Sequence, residues 1–272
     1  MSSVYSIING EFVLKNESAI LISDLAIQRG YGIFDYFRTI KNEPVFLDEH
    51  LNRFYFSASE MFMDPGYTRE ELKGLIKLLI EKNNIADSGI RLTLTGGYSE
   101  DGYSPATPNL LITQTAFSFN RDNFNKGIKL ITFPYQRQLP HVKTIDYLMA
   151  IHLQKLIKEK GADDVLYYHN NEITECPRAN VFFINKNEEV LTPSKNILSG
   201  ITRKKILGFP EFNTRESIIK LSDVPDFREV FICSTTKNVL PVLAVDGKII
   251  GDGKPGEITR KIYEDLLSIK EK

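Results

Sequence analysis

Short segments rich in β-branched and aromatic residues recur along the whole chain, separated by turns and amphipathic helices. "GIFDYFRTI" and "NVFFIN" are typical of strands, and "VYSIINGEFVL" predicts a hairpin that turns at Asn9-Gly10. "DEHLNRFYFSASEMF" spaces its apolar residues at helical intervals, with Asp48 as its expected N-cap. Strands and amphipathic helices in this arrangement, without an internal repeat, predict an α+β fold with mixed sheets.

The length of 272 residues suffices for one large domain or two modest ones. The polar stretch "NRDNFNKG" separates two such runs of strands and helices. We therefore expect an N-terminal domain over 1–119, a linker over 120–126 and a C-terminal domain over 127–272. A cleft between two domains is the expected place for a ligand.

Composition excludes several classes of partner. The net charge is −1, from 34 basic and 35 acidic side chains, which does not suggest binding to nucleic acid or to an anionic membrane surface. Two cysteines are too few for a disulfide framework, and four scattered histidines predict no metal site. No apolar run approaches membrane-spanning length, and the N-terminus lacks the signal-peptide pattern. We expect a cytoplasmic protein.

One lysine stands out in "LPHVKTIDYLMAIH", where Lys143 lies between a proline-marked turn and an apolar helix. Burying a lysine charge costs more than its hydrocarbon stem gains, so a lysine held beside a core needs a reason. A lysine with a depressed pKa near the end of a strand can form a Schiff base with a carbonyl. The alternative is an ordinary solvated lysine in a loop.

A second candidate is Glu175 in "ITECPRANVFFIN", just before a strand. A carboxylate in this position can hold a protonated ring nitrogen, as a pyridinium requires. The alternative is a surface ion pair with Arg178.

Three further stretches are suited to binding an anion. "ILSGITRKKIL" places Ile201 and Thr202 at a helix start with free N–H groups, although an ordinary helix start looks the same. "ICSTTKNVLP" offers three hydroxyl residues, which are also common in plain turns. In "EHLNRF", His50 and Arg53 share one helix face, and Arg53 is flanked by apolar residues. Its guanidinium is therefore expected to point inward and to need an anion, with a structural ion pair as the alternative.

Together these stretches resemble the class IV, or fold type IV, pyridoxal-phosphate aminotransferases. This family includes D-amino-acid transaminases, branched-chain aminotransferases and aminodeoxychorismate lyases. The similarity covers nearly the whole chain, and the matching stretches follow the family's order: "RGYGIFDYFRT", "LDEHLNRF", "VKTIDYL", "TECPRANVFF", "ILSGITR", "STTKNVLPV" and "DGKIIGDGKPGEIT".

The resemblance implies a two-domain fold with mixed sheets, an active site in the interdomain cleft, a homodimer, and pyridoxal 5'-phosphate as cofactor. It assigns Lys143 as the Schiff-base lysine and proton shuttle, Glu175 as the partner of the pyridine nitrogen, and Arg53 as the phosphate clamp. The remaining cofactor contacts that it implies are Leu198 on the ring face, Ile201, Thr202 and Thr235 at the phosphate, and Tyr147 near the ring hydroxyl.

The substrate carboxylate needs partners of its own. D-amino-acid transaminases of the Bacillus type carry an Arg-x-His pair in a loop that here reads "GGYSEDGYSP", with neither residue. Branched-chain enzymes carry Tyr-x-Arg where this chain has "GIR", so Gly89 replaces the tyrosine and Arg91 remains, and Arg38 also resembles a branched-chain position. We hypothesise that Arg29 and Arg91 bind the carboxylate, with an interface ion pair to Asp24 as the alternative for Arg29. The pocket for the substrate side chain is expected to draw on Tyr31, Ile33, Phe34 and Tyr36, and Arg38 and Thr236 are further expected substrate contacts.

The sequence therefore predicts an aminotransferase that moves an amino group between an amino acid and a 2-oxo acid, with ping-pong kinetics. A D-amino-acid transaminase with atypical carboxylate binding is favoured. L-branched-chain transamination is the first alternative and a lyase is the second, although "STT" favours transamination. A catalytically silent binding protein is disfavoured because the lysine, the glutamate and the phosphate set are all intact.

Overall fold

The computed structural model describes residues 4–270, which form two compact units. Unit 1 comprises residues 4–118 together with Val142–Asp146, and unit 2 comprises Phe119–His141 together with residues 147–270. The expected linker over 120–126 thus lies within unit 2, where Asp122–Lys126 form a short helix. Lys143 packs with unit 1 and not, as expected, with residues 127–272, because its segment forms backbone hydrogen bonds there.

Unit 1 contains an antiparallel sheet of six strands and three helices. Its elements are β1 (Tyr5–Ile8), β2 (Glu11–Leu14), α1 (Leu25–Arg29), β3 (Gly32–Ile40), β4 (Glu43–Pro44), α2 (Leu47–Glu60), α3 (Arg69–Asn83), β5 (Ser88–Thr95) and β6 (Leu110–Ala116). The strand order is β2-β1-β6-β5-β3-β4. The predicted hairpin between β1 and β2 is confirmed, since Asn9 and Gly10 take φ values of 50° and 88°, as a two-residue type I′ turn requires.

The two faces of β3 have different surroundings. Ile33 and Phe37 are fully buried and belong to one apolar cluster with Leu51 and Phe54 of α2. Because side chains alternate along a strand, the residues between them lie on the opposite face. Register pairs Tyr36 with Arg91 and Arg38 with Gly89 across β3 and β5. The face away from α2 therefore carries Phe34, Tyr36, Arg38, Gly89 and Arg91.

The start of α2 differs from the sequence expectation. The helix begins at Leu47, so Asp48 lies in its first turn and is not the N-cap. The preceding residue, Phe46, takes a φ of 56° and offers no side-chain cap. Asp48 instead pairs with the Lys73 Nζ at 2.8 Å, and its charge still complements the positive end of the helix.

Unit 2 is built on a nine-stranded mixed sheet. Its elements are α4 (Asp122–Lys126), β7 (Ile128–Pro134), α5 (Leu148–His152), α6 (Gln154–Glu159), β8 (Asp164–His169), β9 (Glu172–Ile173), β10 (Asn180–Ile184), β11 (Val190–Pro193), α7 (Ile201–Leu207), β12 (Thr214–Ser217), a 3-10 helix (Leu221–Asp226), β13 (Glu229–Ser234), β14 (Asn238–Val245), β15 (Lys248–Ile249) and α8 (Glu257–Lys270). The order is β12-β11-β10-β13-β14-β7-β8-β9, with β15 paired to β14. The pairs β11–β12, β14–β7 and β7–β8 are parallel, and the other named pairs are antiparallel.

A buried carboxylate fixes the start of α8. Glu229 accepts hydrogen bonds from the backbone N–H of Thr259 at 2.8 Å and from its hydroxyl at 2.7 Å. The backbone N–H of Ile258 is a third donor at 3.3 Å. These contacts satisfy orphan donors at the helix start.

No helix within residues 4–270 has both the length and the apolar character needed to cross a bilayer.

Candidate active site

The backbone around Lys143 is fixed within unit 1. Residues 142–146 run antiparallel to the start of β3, where the N–H of Phe34 donates to the carbonyl of Lys143 at 2.9 Å. The N–H of Lys143 donates to the Ser57 hydroxyl on α2 at 3.2 Å. Val142 is fully buried in the apolar cluster of unit 1. Alternation therefore places the Lys143 side chain on the side opposite Val142, and the lysine is half-buried.

Phe34 brings two cations together. The Lys143 Nζ lies 4.4 Å from the centroid of its ring, and the Arg91 Cζ lies 3.8 Å from the same centroid. Both distances fall within the range of cation–π attraction. The predicted carboxylate-binding arginine of β5 and the predicted reactive lysine therefore both contact the Phe34 ring.

A buried charge network lies on the other side of β3. The Asp35 carboxylate accepts hydrogen bonds from the Arg53 Nε at 2.8 Å and from its Nη2 at 2.8 Å. The His50 Nδ1 lies 2.7 Å from the same carboxylate. Asp35 is completely buried and His50 nearly so. Burial opposes ionisation of Asp35, but the charge of Arg53 outweighs it and, with His50, holds the pKa of Asp35 well below its usual range.

His50 is neutral near pH 7, because burial lowers its pKa more than the Asp35 carboxylate raises it. An ionised carboxylate only accepts hydrogen bonds, so the His50 Nδ1 carries a hydrogen and donates a hydrogen bond to Asp35.

The structural ion pair considered as the alternative for Arg53 is thus present. The Arg53 Nη1 still makes no hydrogen bond with any residue among 4–270, and 10% of the side chain is exposed. Arg53 therefore keeps one amino group for a second anion.

Glu175, the predicted partner of the pyridine nitrogen, lies in unit 2. It is buried, and its Oε1 accepts from the Nε and Nη2 of Arg137, both at 2.8 Å. Its Oε2 accepts from the backbone N–H of Leu198 at 3.0 Å. The surface pair with Arg178 considered from the sequence is wrong, because Glu175 is only 4% exposed and its cation is Arg137. Arg137 also donates to the carbonyl of Pro140, in the loop that leads to Lys143.

The predicted phosphate-binding groups of unit 2 lie in two places. Helix α7 begins at Ile201, and Gly200 before it provides no side-chain cap. The N–H groups of Ile201 and Thr202 have no acceptor among the described residues, which leaves them available to an anion. Thr235 lies in the turn after β13, and its hydroxyl forms no hydrogen bond within residues 4–270.

The other predicted site residues are distributed over both units. Leu198 is half-buried, and its carbonyl accepts from the Asn180 side chain at 2.9 Å. Tyr147 is half-buried directly before α5, and Thr236 is exposed, 3.4 Å from the Ser234 hydroxyl. The Tyr31 hydroxyl donates to the carbonyl of Met61 at 2.5 Å, and burial raises the pKa of Tyr31.

One expected substrate contact, Ile33, is wrong, and so is the alternative in which Arg29 pairs with Asp24. Ile33 belongs to the apolar core beside α2, because strand alternation turns it away from the face that carries Phe34. Asp24 is not a partner of Arg29, because it is fully buried and accepts from the N–H of Ala26, the Thr95 hydroxyl and the Asn109 amide. Arg29 itself is exposed, and its Nη1 donates to the carbonyl of Gln28 at 3.0 Å.

Asp35 was not among the predicted site residues, and the pairing of Arg137 with Glu175 was not predicted. Asp35 was overlooked, although a charged residue inside the apolar strand "GIFDYF" signals a buried partner. Arg137 is 38 residues from Glu175, and no local pattern announces their pairing. Within residues 4–270 no group of three or more His, Cys, Asp or Glu side chains could hold a metal ion.

Unit 1 carries a lysine and an arginine against one aromatic ring, together with an arginine held by a buried aspartate, and unit 2 carries a buried carboxylate paired with an arginine. Side chains of these types suit a phosphorylated ring cofactor. The profile of the class IV amino-transferase family matches residues 32–245. The chain belongs to the class IV aminotransferase family. It is a pyridoxal-phosphate-dependent aminotransferase.

Individual relatives support the same assignment. The chain is 32% identical to the D-alanine aminotransferase of Staphylococcus haemolyticus over 266 residues, covering 94% of each chain. It is 30% identical to that of Bacillus licheniformis over 270 residues, covering 95% of this chain and 94% of the relative. The branched-chain amino acid aminotransferase of Escherichia coli has a similar structure, with a TM-score of 0.92, 22% identity and coverage of 99% and 95%. At that identity the structural similarity concerns the fold alone.

Proposed function

We propose that the chain is a D-amino-acid transaminase that binds its substrate carboxylate in an atypical way. The observation that carries the proposal is the placement of Lys143 and Arg91 against one Phe34 ring, which sets a cation beside the amine. Identities of 30–32% with D-alanine aminotransferases over nearly the whole chain favour D-amino acids. The loop "GGYSEDGYSP" has no Arg-x-His pair, so the carboxylate needs other cations.

The residues fit the cofactor. The Arg53 Nη1 and the uncapped N–H groups at the start of α7 suit its phosphate, with the Thr235 hydroxyl as a further donor. The Glu175 carboxylate, held by Arg137 and the Leu198 N–H, suits its ring nitrogen. Leu198 and Tyr147 are proposed to contact the ring. When bound, pyridoxal phosphate supplies the aldehyde that takes the amino group and the ring that withdraws electrons.

The chain's own groups carry the acid–base chemistry. The Lys143 amine would hold the cofactor through its aldehyde, and the same amine would move the proton at the substrate Cα. Hydrogen bonds to Phe34 and Ser57 fix the backbone of Lys143, which limits the positions that its amine can reach. Arg137 holds the Glu175 carboxylate in its buried position through an ion pair.

Arg91 and Arg29 are the proposed carboxylate partners. Arg91 neighbours the amine that reacts at the substrate Cα, to which the carboxylate is also attached. Arg29 is exposed, and Asp24 is unavailable to it, which removes the ion pair that would have competed. Tyr31, Phe34, Arg38 and Thr236 are the further substrate contacts proposed.

The alternative function is L-branched-chain transamination. One observation favours it, namely that Arg38 and Arg91 resemble positions of the branched-chain type. A lyase reaction with the same cofactor ranks third.

A half-reaction screen tests the proposal directly. Holoenzyme is mixed with D-alanine, D-glutamate, L-leucine or aminodeoxychorismate, and conversion of the cofactor is followed by absorbance. We expect conversion with the D-amino acids. Conversion with L-leucine alone, or release of pyruvate from aminodeoxychorismate, would replace the proposal by one of the alternatives.

Replacing Arg91 with alanine is expected to raise KM about tenfold or more for both the amino donor and the 2-oxo acid, because both carry the same carboxylate. Steady-state kinetics with each substrate measures this change. Arg228→Ala is a suitable control, since Arg228 forms a half-exposed pair with Glu188 in unit 2. An unchanged KM would remove Arg91 from the carboxylate site.

We also propose that the protein is a cytoplasmic homodimer. Large apolar side chains near Arg29 are exposed in the single chain: Leu21 by 60%, Ile22 by 83% and Ile27 by 54%. A second copy of the chain would cover them. Sedimentation at micromolar concentration tests this, and a monomer with full activity would contradict it.

A further inference from the structure

The sequence leaves one departure from the branched-chain pattern unexplained, namely Gly89 in place of a tyrosine two residues before Arg91. In the structure this glycine lies beneath another phenol. A Cβ atom built on Gly89 would lie 1.7 Å from the hydroxyl oxygen of Tyr36 and 2.3 Å from its Cζ. No side chain larger than hydrogen can therefore occupy position 89 while Tyr36 keeps its rotamer.

Strand register explains how the phenol comes to lie there. In the β3–β5 pair, Tyr36 lies opposite Arg91, and Arg38 lies opposite Gly89. Cross-strand partners share a face, so Tyr36 lies on the face that carries Arg91. Residues two apart on a strand also share a face, so Arg38 and Gly89 lie there as well. Phe34, whose ring contacts both Arg91 and Lys143, lies on this face as well.

The surroundings of the phenol suit an anion. Burial raises the pKa of Tyr36, while the neighbouring charges of Arg38 and Arg91 act in the opposite direction. The net pKa is raised, so the hydroxyl keeps its proton at neutral pH and can donate it. The hydroxyl forms no hydrogen bond with any residue among 4–270, although two guanidinium groups act on it. A carboxylate in this position would accept from the hydroxyl and meet two positive charges.

We propose that the Tyr36 hydroxyl binds the α-carboxylate of the amino acid and of the 2-oxo acid, together with Arg91. In the branched-chain pattern a tyrosine at position 89 of β5 would supply a phenol here. In this chain Tyr36 of β3 would supply the phenol instead, and the missing side chain of Gly89 leaves the space that its ring fills. The inference rests on the proposed function for its substrate, and it adds a specificity-determining residue to Arg91 and Arg29.

Plain packing is the competing explanation, since an aromatic ring that covers a glycine on a neighbouring strand also stabilises a sheet. The variant Tyr36→Phe separates the two explanations because it keeps the ring over Gly89 and removes only the hydroxyl. Tyr55→Phe is a matched control in the same unit, since the Tyr55 hydroxyl donates to the carbonyl of Tyr67 at 2.8 Å on the helix side.

Steady-state kinetics and thermal unfolding of the holoenzyme variants test the proposal. For Tyr36→Phe we expect KM to rise about tenfold for alanine, glutamate and their 2-oxo acids alike, with kcat changed less than about twofold and an unchanged Tm. Tyr55→Phe should lower Tm and leave KM unchanged. An unchanged KM in Tyr36→Phe, or a rise confined to glutamate and its 2-oxo acid, would overturn the proposal.

A titration with propionate distinguishes failure of this inference from failure of the proposed function. Propionate has the carboxylate but no amino group, so its binding to the holoenzyme, followed by calorimetry, does not depend on the reaction catalysed. Weaker propionate binding by Tyr36→Phe than by the parent, by about tenfold, supports the inference even if no D-amino acid reacts. Equal affinities would refute it even if D-alanine is a good substrate.

Discussion

Replacing Lys143 with alanine is expected to lower the rate of the half-reaction by about 10⁴-fold, the upper end of what one positioned acid–base group contributes. Under the proposed function, the variant would lose both the amine that holds the cofactor aldehyde and the base that moves the Cα proton. Rapid-mixing absorbance with saturating D-alanine measures the loss. Borohydride treatment followed by peptide mapping should label Lys143 in the parent protein and no lysine in the variant.

The fold is expected to survive this change. The backbone of Lys143 makes its hydrogen bonds to Phe34 and Ser57 through main-chain atoms, which alanine keeps. Lys77→Ala is the matched control, because its side chain is 78% exposed on α3, where it pairs with Glu81. Restoration of part of the rate by added methylamine would assign the loss to the missing amine. A variant that retains more than a hundredth of the parent rate would contradict the role of Lys143.

Local patterns were sufficient where neighbouring residues decide the structure. The Asn9-Gly10 turn was predictable because type I′ geometry needs positive φ at two adjacent positions. The inward direction of Arg53 followed from its apolar flanks on α2. The start of α2 was not predictable in detail, because Phe46 takes a left-handed conformation where Asp48 offered the expected cap.

Contacts between segments that are distant in the chain could not be predicted from a single sequence. The partner of Glu175 depends on the course of the chain between β7 and Lys143. No sequence pattern around Arg137 predicts that it pairs with Glu175. The relation of Tyr36 to Gly89 depends on strand register, and a slip by one residue would separate them. The sequence showed a missing tyrosine, and only the register showed that another tyrosine lies above the same position.

Asp35→Asn is expected to lower the free energy of unfolding by about 3–5 kcal/mol, because it leaves the Arg53 guanidinium buried without its counter-charge. Asparagine has nearly the same shape, so the cost comes from charge and not from a cavity. Urea unfolding of the apoprotein measures it. Asp64→Asn is a suitable control, since Asp64 is exposed and accepts one hydrogen bond from the N–H of Gly66.

The effect of Asp35→Asn should depend on pH in a definite direction. Because the pKa of Asp35 in the folded protein is below its unfolded value of about 3.9, its ionised form contributes stability above that value and loses it as pH falls toward the folded pKa. The difference in unfolding free energy between parent and variant should therefore be constant above about pH 5 and shrink below about pH 4. A difference that grows on acidification would contradict an ionised Asp35.

The same substitution links stability to the proposed cofactor site. Asp35 holds Arg53 through Nε and Nη2 and leaves Nη1 for a phosphate, so losing the carboxylate should also release the guanidinium from its fixed direction. Pyridoxamine phosphate, which makes no bond to Lys143, should bind the folded variant at least about tenfold more weakly than the parent. Asp35→Glu, which keeps the charge, should recover most of that affinity even if the extra methylene costs about 1–3 kcal/mol of stability. If Asp35→Asn unfolds more easily but binds pyridoxamine phosphate as tightly as the parent, then the network supports the fold alone and Arg53 does not hold the phosphate through it.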